Sequence, residues 1–270
     1  MTGRPRLAAG RARALGLPTR GTTHPNRLRR NDVFLCTDQV VGAAMRTLPE
    51  PLVIDLGYGS SGVTTVELAD RLRSVFPQAR VLGLEIDPAR VAAAAALATP
   101  PAVDFAVGGF ELAGRNPQVV RAMNVLRQYT EDQAGDAWRQ LTGRLAPGGV
   151  VVEGTCNELG RVGSWVVLDR AGPVSLTLSC APDLLDRPAT LAERLPKALI
   201  HHNVPGERIH RLLDDLDRAW AAAAALSVFS PVQRWCAAAE SLTAAGWPVR
   251  STRRAHRRGE VTIAATAIWP

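Results

Sequence analysis

The sequence predicts an α/β fold built on a mostly parallel sheet, and three stretches carry that prediction. In residues 52–63, L-V-I-D-L-G-Y-G-S-S-G-V, an apolar run (Leu52, Val53, Ile54) ends in Asp55, and Gly57, Gly59 and Gly62 follow at G-x-G-x-x-G spacing. Residues 80–87, R-V-L-G-L-E-I-D, read as a buried strand ending in carboxylates. Residues 145–153, L-A-P-G-G-V-V-V-E, read as a glycine turn feeding a further apolar strand. Between the first two stretches, residues 63–76 place Val63, Val66, Leu72 and Val75 or Phe76 on or near one helical face. Strand, tight glycine turn and helix is the setting in which a glycine triplet bears on ligand binding. Glycine turns the backbone sharply and admits a ligand where a Cβ would collide. Glu85 follows Gly62 at close to the spacing at which an acid hydrogen-bonds a ribose.

These residues resemble the class I S-adenosylmethionine (SAM) methyltransferases. D-L-G-Y-G-S-S-G resembles the family's first motif, L-G-L-E-I-D-P its second, and residues 145–153 the turn and fifth strand of its fold. The resemblance covers residues 51–158 and returns over 231–270. It implies a Rossmann-like, mostly parallel seven-stranded sheet with an antiparallel C-terminal strand pair, and SAM as cofactor. The cofactor-binding residues it implies are Asp55, Gly57, Tyr58 and Gly59 around the glycine turn, and Glu85 and Ile86 at the end of strand two. Gly109 and Phe110 after strand three and Asn124 after strand four complete the set. Where the family usually carries an acid for the adenine amine, this chain has Gly108, Gly109 and Phe110, so Phe110 is either a stacking face or a core residue. An NAD site starts its glycine triplet directly after the strand, whereas here Asp55 stands just ahead of Gly57, as in the methyltransferases. An NAD-binding oxidoreductase and a non-catalytic SAM- or nucleotide-binding module are the alternatives.

Composition bounds the class. Hydrophobic residues make up 46% of the 270, with mean hydropathy near zero, as in a soluble globular chain of one domain with an insertion or two small domains. The alanine-rich runs at 91–98 and 219–226 fall well short of the ~20 residues that span a bilayer. The amino terminus has arginines but no apolar signal-peptide core, and Cys36, Cys156, Cys180 and Cys236 form no C-x-x-C pair. A reducing cytoplasm is the expected location, with no membrane partner and no metal. Residues 1–30 hold eight arginines and no acid, and residues 250–258 hold five more, against a net charge of +7, so the body between is acidic. Lys197 is the single lysine.

The division expected is a basic arm (1–30), a SAM-binding core (31–159), an inserted substrate-recognition cap (160–230) and the C-terminal part of the core (231–270). A helix over 32–48, stopped by Pro49, follows a basic loop; in the resembled family such a helix lies over the SAM site, which implies Arg27, Arg29 or Arg30 as a partner for the methionine carboxylate, with a solvated basic segment as the favoured alternative for each. Pro88 opens a short helix after strand two, residues 103–107 form strand three and 119–124 strand four. Ala134, Trp138, Leu141 and Leu145 share one face of a helix over 131–145. The cap is expected to hold a hairpin (165–168 with 174–178) and helices over 186–202 and 207–229. A helix over 231–245 and an antiparallel pair, 249–255 with 260–268, close the fold.

Methyl transfer from SAM displaces a good leaving group, so positioning supplies most of the acceleration and no triad is expected. Glu153, at the predicted exit of strand five, is the first choice for an orienting group or base, with a helix-capping carboxylate as the equal alternative. Asn124 and Tyr129 are the next catalytic candidates, as hydrogen-bond donors to the acceptor. Asn124 lacks the following prolines found in enzymes that methylate exocyclic base amines. Residues 195–206 gather Lys197, His201, His202 and Asn203 without metal-ligand spacing. The acceptor is left between RNA, favoured by the two basic segments, and a small molecule enclosed by the cap. The sequence leaves the oligomeric state open.

Overall fold

One eight-stranded sheet, ordered β3-β2-β1-β4-β5-β6-β7-β8, runs through residues 23–269, the part of the chain that the computed structural model describes. Residues 1–22 of the predicted arm lie outside it. The first five strands, β1 (Leu52–Leu56), β2 (Arg80–Glu85), β3 (Val103–Val107), β4 (Val119–Met123) and β5 (Val150–Cys156), pair in parallel. Then β6 (Val162–Asp169), β7 (Gly172–Cys180) and β8 (Glu260–Ala264) continue the sheet antiparallel. Parallel neighbours need crossovers, and α3 (Val63–Arg73), α4 (Pro88–Ala94) and α5 (Glu131–Gly143) supply three of them.

Two apolar layers sandwich the sheet. On one face α1 (Arg29–Thr37), α2 (Gln39–Met45) and α3 bury Phe34, Leu35, Val41, Met45, Leu68 and Leu72 against the inward residues of β1, β4 and β5. On the other, α5 packs with α7 (Arg208–Ala222) and α8 (Pro231–Ala244). Ile209, Leu212, Leu213, Leu216 and Trp220 recur at helical spacing along α7, and all five are buried in that layer.

The α/β class and the parallel half stand as the sequence predicts, and four features differ. The segment expected as one helix over 32–48 is two, because Asp38 leaves helical geometry (φ −72°, ψ 139°) and caps α2 by accepting from the Val40 and Val41 amides. The sheet has eight strands, since the hairpin assigned to a cap is β6 and β7, wedged between β5 and β8. Residues 160–230 therefore supply sheet and core, with α7 packed beside α8. The third difference lies at the C-terminus. Val249 makes only a bridge to Ile263, and Thr252 caps a short helix, α9 (Arg253–Arg257), where a strand was expected. Pro196 breaks the helix expected over 186–202 into a 3-10 turn, Pro188–Arg194, and α6 (Lys197–Ile200). Among the described residues no helix is long and apolar enough to cross a membrane.

Candidate functional site

The chain passes from β1 outward through β2 to β3, then returns to place β4 on the other side of β1. At such a switch point the loops leaving the two central strands diverge and open a crevice at their carboxyl ends. Here that crevice has a cavity volume of about 50 Å³ and opens to solvent. Asp55 and Gly57–Gly59 line it from β1, Met123 and Asn124 from β4, and Thr23 and Arg27 from the segment before α1.

The glycine turn forms one wall. Gly57 (φ 67°) and Gly59 (φ 86°) both adopt left-handed geometry, which a side chain would strain. The Gly57 amide donates to the Leu84 carbonyl at 2.7 Å, tying the turn to β2. Gly62 serves a different purpose: a Cβ there would lie 2.7 Å from the Phe105 ring, so it sets the approach of α3 to β3. Glu85 is buried and shapes the turn from below, accepting from the amides of Gly59 (3.1 Å) and Ile86 (2.9 Å), with Arg90 at 3.5 Å. The Tyr58 ring sits edge-on to Phe105 at 5.3 Å, and Thr23 donates to the Tyr58 carbonyl at 2.9 Å. Burial, with the nearby Glu85 and Asp55 charges, pushes the Tyr58 phenol up.

Asp55 holds the centre of a buried ion network that the sequence analysis missed. Arg121, fully buried on β4, donates Nε to Asp55 Oδ1 at 2.8 Å and a terminal nitrogen to Oδ2 at 2.6 Å. Thr65 donates to the same Oδ2 at 2.6 Å. Arg121 also pairs with Asp32 of α1, which Arg71 of α3 reaches at 2.6 Å. Burial pushes the Asp32 carboxyl up to about 6, against the pull of the two guanidiniums. The available signal was Arg121 itself, a charge inside the apolar strand V-V-R-A-M, which burial obliges to find acids.

Of the three arginines expected near the ligand, Arg27 lines the crevice and donates Nε to the Asn157 carbonyl at 3.3 Å. Arg30 instead binds the Arg258 carbonyl, and Arg29 is exposed. Asn124 sits at the mouth of β4 with φ 63°; its Oδ1 accepts from the Cys156 amide at 2.9 Å and its Nδ2 meets the Cys156 sulfur at 3.3 Å. Its side chain thereby ties the exits of β4 and β5 together. Phe110 and Tyr129 are buried with ring centroids 5.6 Å apart in the layer beneath α5, so Phe110 falls on the core side of its two readings. The Gly109 amide donates to Glu111 at 2.8 Å.

Glu153 is corrected by the length of β5. The strand runs on to Cys156, which leaves Glu153 mid-strand, opposite Ala122 of β4 and Val166 of β6, and under α5. Trp138 of α5 donates Nε1 to one carboxyl oxygen at 3.2 Å, and burial pushes the carboxyl up to about 8. It does not line the crevice. Nor do the histidines of 195–206: His202 bonds Glu131 at 2.7 Å, while Asn203 meets His210 at 3.1 Å. Of the second basic segment, Arg250, Arg254 and Arg258 line a separate surface pocket beside α1 and α2, where Arg258 pairs with Glu260 at 2.8 Å.

A scan against protein-family models finds no match, and a search of curated proteins finds none. Among solved structures, similar ones include human N-acetylserotonin methyltransferase in complex with SAM, with 19% identity, a TM-score of 0.35 and 50% of this chain covered. A TehB-like SAM-dependent methyltransferase from Corynebacterium glutamicum aligns over 52% of this chain at 19% identity and TM-score 0.35. The CcbJ methyltransferase from Streptomyces caelestis aligns over 58% at 21% identity and TM-score 0.37. The chain spans 36% of the length of the first, 67% of the second and 66% of the third.

Proposed function

We propose that the protein is a SAM-dependent methyltransferase. The observation that carries this is the pairing, across one switch-point crevice, of a left-handed glycine turn with the Arg27 guanidinium. A guanidinium suits the methionine carboxylate. A turn without Cβ atoms lets a bulky adenosyl group lie against backbone, and Glu85 stands at the ribose end of that turn. In that setting SAM supplies an electrophilic methyl: the acceptor's lone pair bonds to its carbon, the carbon–sulfur pair stays on sulfur, and an acceptor that carried a proton releases it.

The chain's own residues orient and exclude. Asn124 fixes the floor between the β4 and β5 exits, where the acceptor enters. Among the described residues lining the crevice, Asp55 is the one carboxylate, and Arg121 and Thr65 already occupy it. The crevice therefore supports alignment of an acceptor that is nucleophilic without a strong base. The separate location of Arg250, Arg254 and Arg258 favours a small acceptor over RNA. Native mass spectrometry of the protein offered SAM, S-adenosylhomocysteine and NAD together is the test. Retention of the two adenosyl-sulfur ligands supports the proposal, and selective retention of NAD overturns it.

A further inference from the structure

A second, smaller cavity adjoins the crevice, and it gathers buried polar atoms that the protein leaves without partners. It shares Arg27, Leu28 and Met123 with the crevice. Asn31 of α1, Trp165 of β6 and Ser179 of β7 line its far side, and all three are buried. Ser179 stands opposite Gly163 in the ladder, and strand alternation puts it on the same face of the sheet as Trp165, the face that α1 covers. Phe34 of α1 fixes the indole, edge-on at 5.3 Å. Gly163 keeps the space open: a Cβ there would lie 2.7 Å from the Thr155 carbonyl oxygen, so no side chain fills that part of the wall.

Among the described residues, Asn31 Oδ1 and Nδ2, Trp165 Nε1 and Ser179 Oγ are buried with no hydrogen-bonding partner. A buried indole or amide ordinarily finds one, because leaving it unpaired costs the full loss of its hydration. Four such atoms around one cavity mark a seat for a polar group. The cavity volume, about 10 Å³, admits a single non-hydrogen atom the size of a water. Hydrogen-bonding chemistry narrows the choice of atom. The indole N–H only donates, so the atom must accept; Asn31 Oδ1 only accepts, so the atom must also donate. A carboxylate cannot donate and brings a second oxygen. An ammonium cannot accept, and it would sit beside the guanidiniums of Arg27 and Arg30, which also line the cavity. A hydroxyl meets both conditions, and Ser179, which donates and accepts, completes its shell.

We infer that this cavity is the hydroxyl seat of the methyl acceptor, so that the acceptor is a small molecule anchored through a hydroxyl group by Asn31, Trp165 and Ser179. The inference rests on the methyltransferase proposal and names the acceptor class for it. The seat lies beside the place where the acceptor enters. Met123 ends β4 one residue before Asn124, and Cys156, whose amide and sulfur hold the Asn124 side chain, also lines the cavity. A hydroxyl held there leaves the rest of the molecule in the crevice, with the atom to be methylated facing the cofactor. Asn31, Trp165 and Ser179 bind and orient, and none of them is asked to remove a proton.

The test is calorimetric titration of the full chain with phenol, with catechol and with anisole, their hydroxyl-free counterpart, each with and without saturating S-adenosylhomocysteine. Ser179→Ala removes one partner, Asn31→Leu removes both amide atoms at similar volume, and Ser179→Val fills the cavity. Arg254→Gln in the separate pocket serves as the control. The expected result is saturable binding of phenol or catechol by the wild type, weakened about fivefold by Ser179→Ala and about tenfold by Asn31→Leu. Binding is expected to be lost in Ser179→Val, unchanged in the control, and about tenfold weaker for anisole. S-adenosylhomocysteine affinity is expected to be the same in all of them. Equal binding of phenol and anisole, or phenol and catechol binding unchanged in folded Ser179→Val and Asn31→Leu, would make the cavity the place of a structural water only and overturns the inference. No saturable binding of either hydroxyl compound overturns it as well. Failure of the wild type to bind S-adenosylhomocysteine defeats the methyltransferase proposal instead, and the titrations without it still decide whether the cavity takes a hydroxyl.

Discussion

Arg121 holds Asp55 through two nitrogens, at 2.8 Å and 2.6 Å, inside the sheet's apolar layer. The acid that heads the glycine motif thus spends most of its hydrogen-bonding capacity on the protein. Its contact with a ligand is limited to what remains on Oδ1. The glycine turn gains a rigid anchor, because Asp55 immediately precedes it and Arg121 locks β1 to β4 across the switch point.

Removing the cation tests that role. Arg121→Leu leaves Asp55 and Asp32 buried without their shared counter-charge, and the expected loss is about 3–5 kcal/mol of stability, as for other buried pairs broken on one side. Urea denaturation measures it. The triple change Arg121→Leu, Asp55→Asn, Asp32→Asn should recover a large part of the loss. A mild effect of Arg121→Leu alone would mean that the two acids are protonated or hydrated in the native state.

Glu85 is expected to act twice, on the ribose and on the Gly59 amide that it already holds. Glu85→Ala should weaken S-adenosylhomocysteine binding by about 1–3 kcal/mol, the range for loss of charge-assisted hydrogen bonds. Calorimetry on a variant with native circular dichroism reads this directly, and unchanged affinity removes Glu85 from the site.

The Glu153 carboxyl, raised to about 8 by burial, gives a pH signature. A native-state pKa above the unfolded one means that the folded protein holds the proton more tightly. Stability from this group is therefore whole below about pH 4.5 and falls as pH rises from there through about 8. Glu153→Gln abolishes that titration. The variant should gain on the wild type by on the order of a few kcal/mol between about pH 5 and about pH 9, the two curves converging in acid. Parallel curves across that range would show that Glu153 is ionised in the folded protein.

The parallel half of the sheet was legible because each strand there is an apolar run closed by a local stop. Asp55 with its glycines, Glu85 before Asp87-Pro88, and Pro147-Gly148-Gly149 ahead of β5 all announce themselves within a few residues. The antiparallel half was not, since β6 and β7 are buried on both faces and nothing local says which edge they join. Glu153 was misplaced for a related reason: Gly154, Thr155 and Cys156 extend β5 through pairing with β6, which their residue types do not advertise. Arg27 was legible as a candidate, but its selection over Arg29 and Arg30 depends on Gly160, where a Cβ would run into the Arg27 carbonyl. The buried network was hidden in the same way, because Asp32, Asp55 and Arg121 are distant in sequence and only the fold brings them together.

The most direct measurement is calorimetric binding of S-adenosylhomocysteine to the wild type and to Gly59→Val, with circular dichroism showing that both are folded. Gly59 has φ 86° and lines the crevice, so a branched side chain there both strains the turn and fills the space against which the adenosyl group lies. Saturable binding by the wild type and its loss in the folded variant is the result expected from a cofactor seated on the glycine turn. Equal binding by the two proteins would contradict that placement, and no binding by the wild type would contradict the methyltransferase assignment itself.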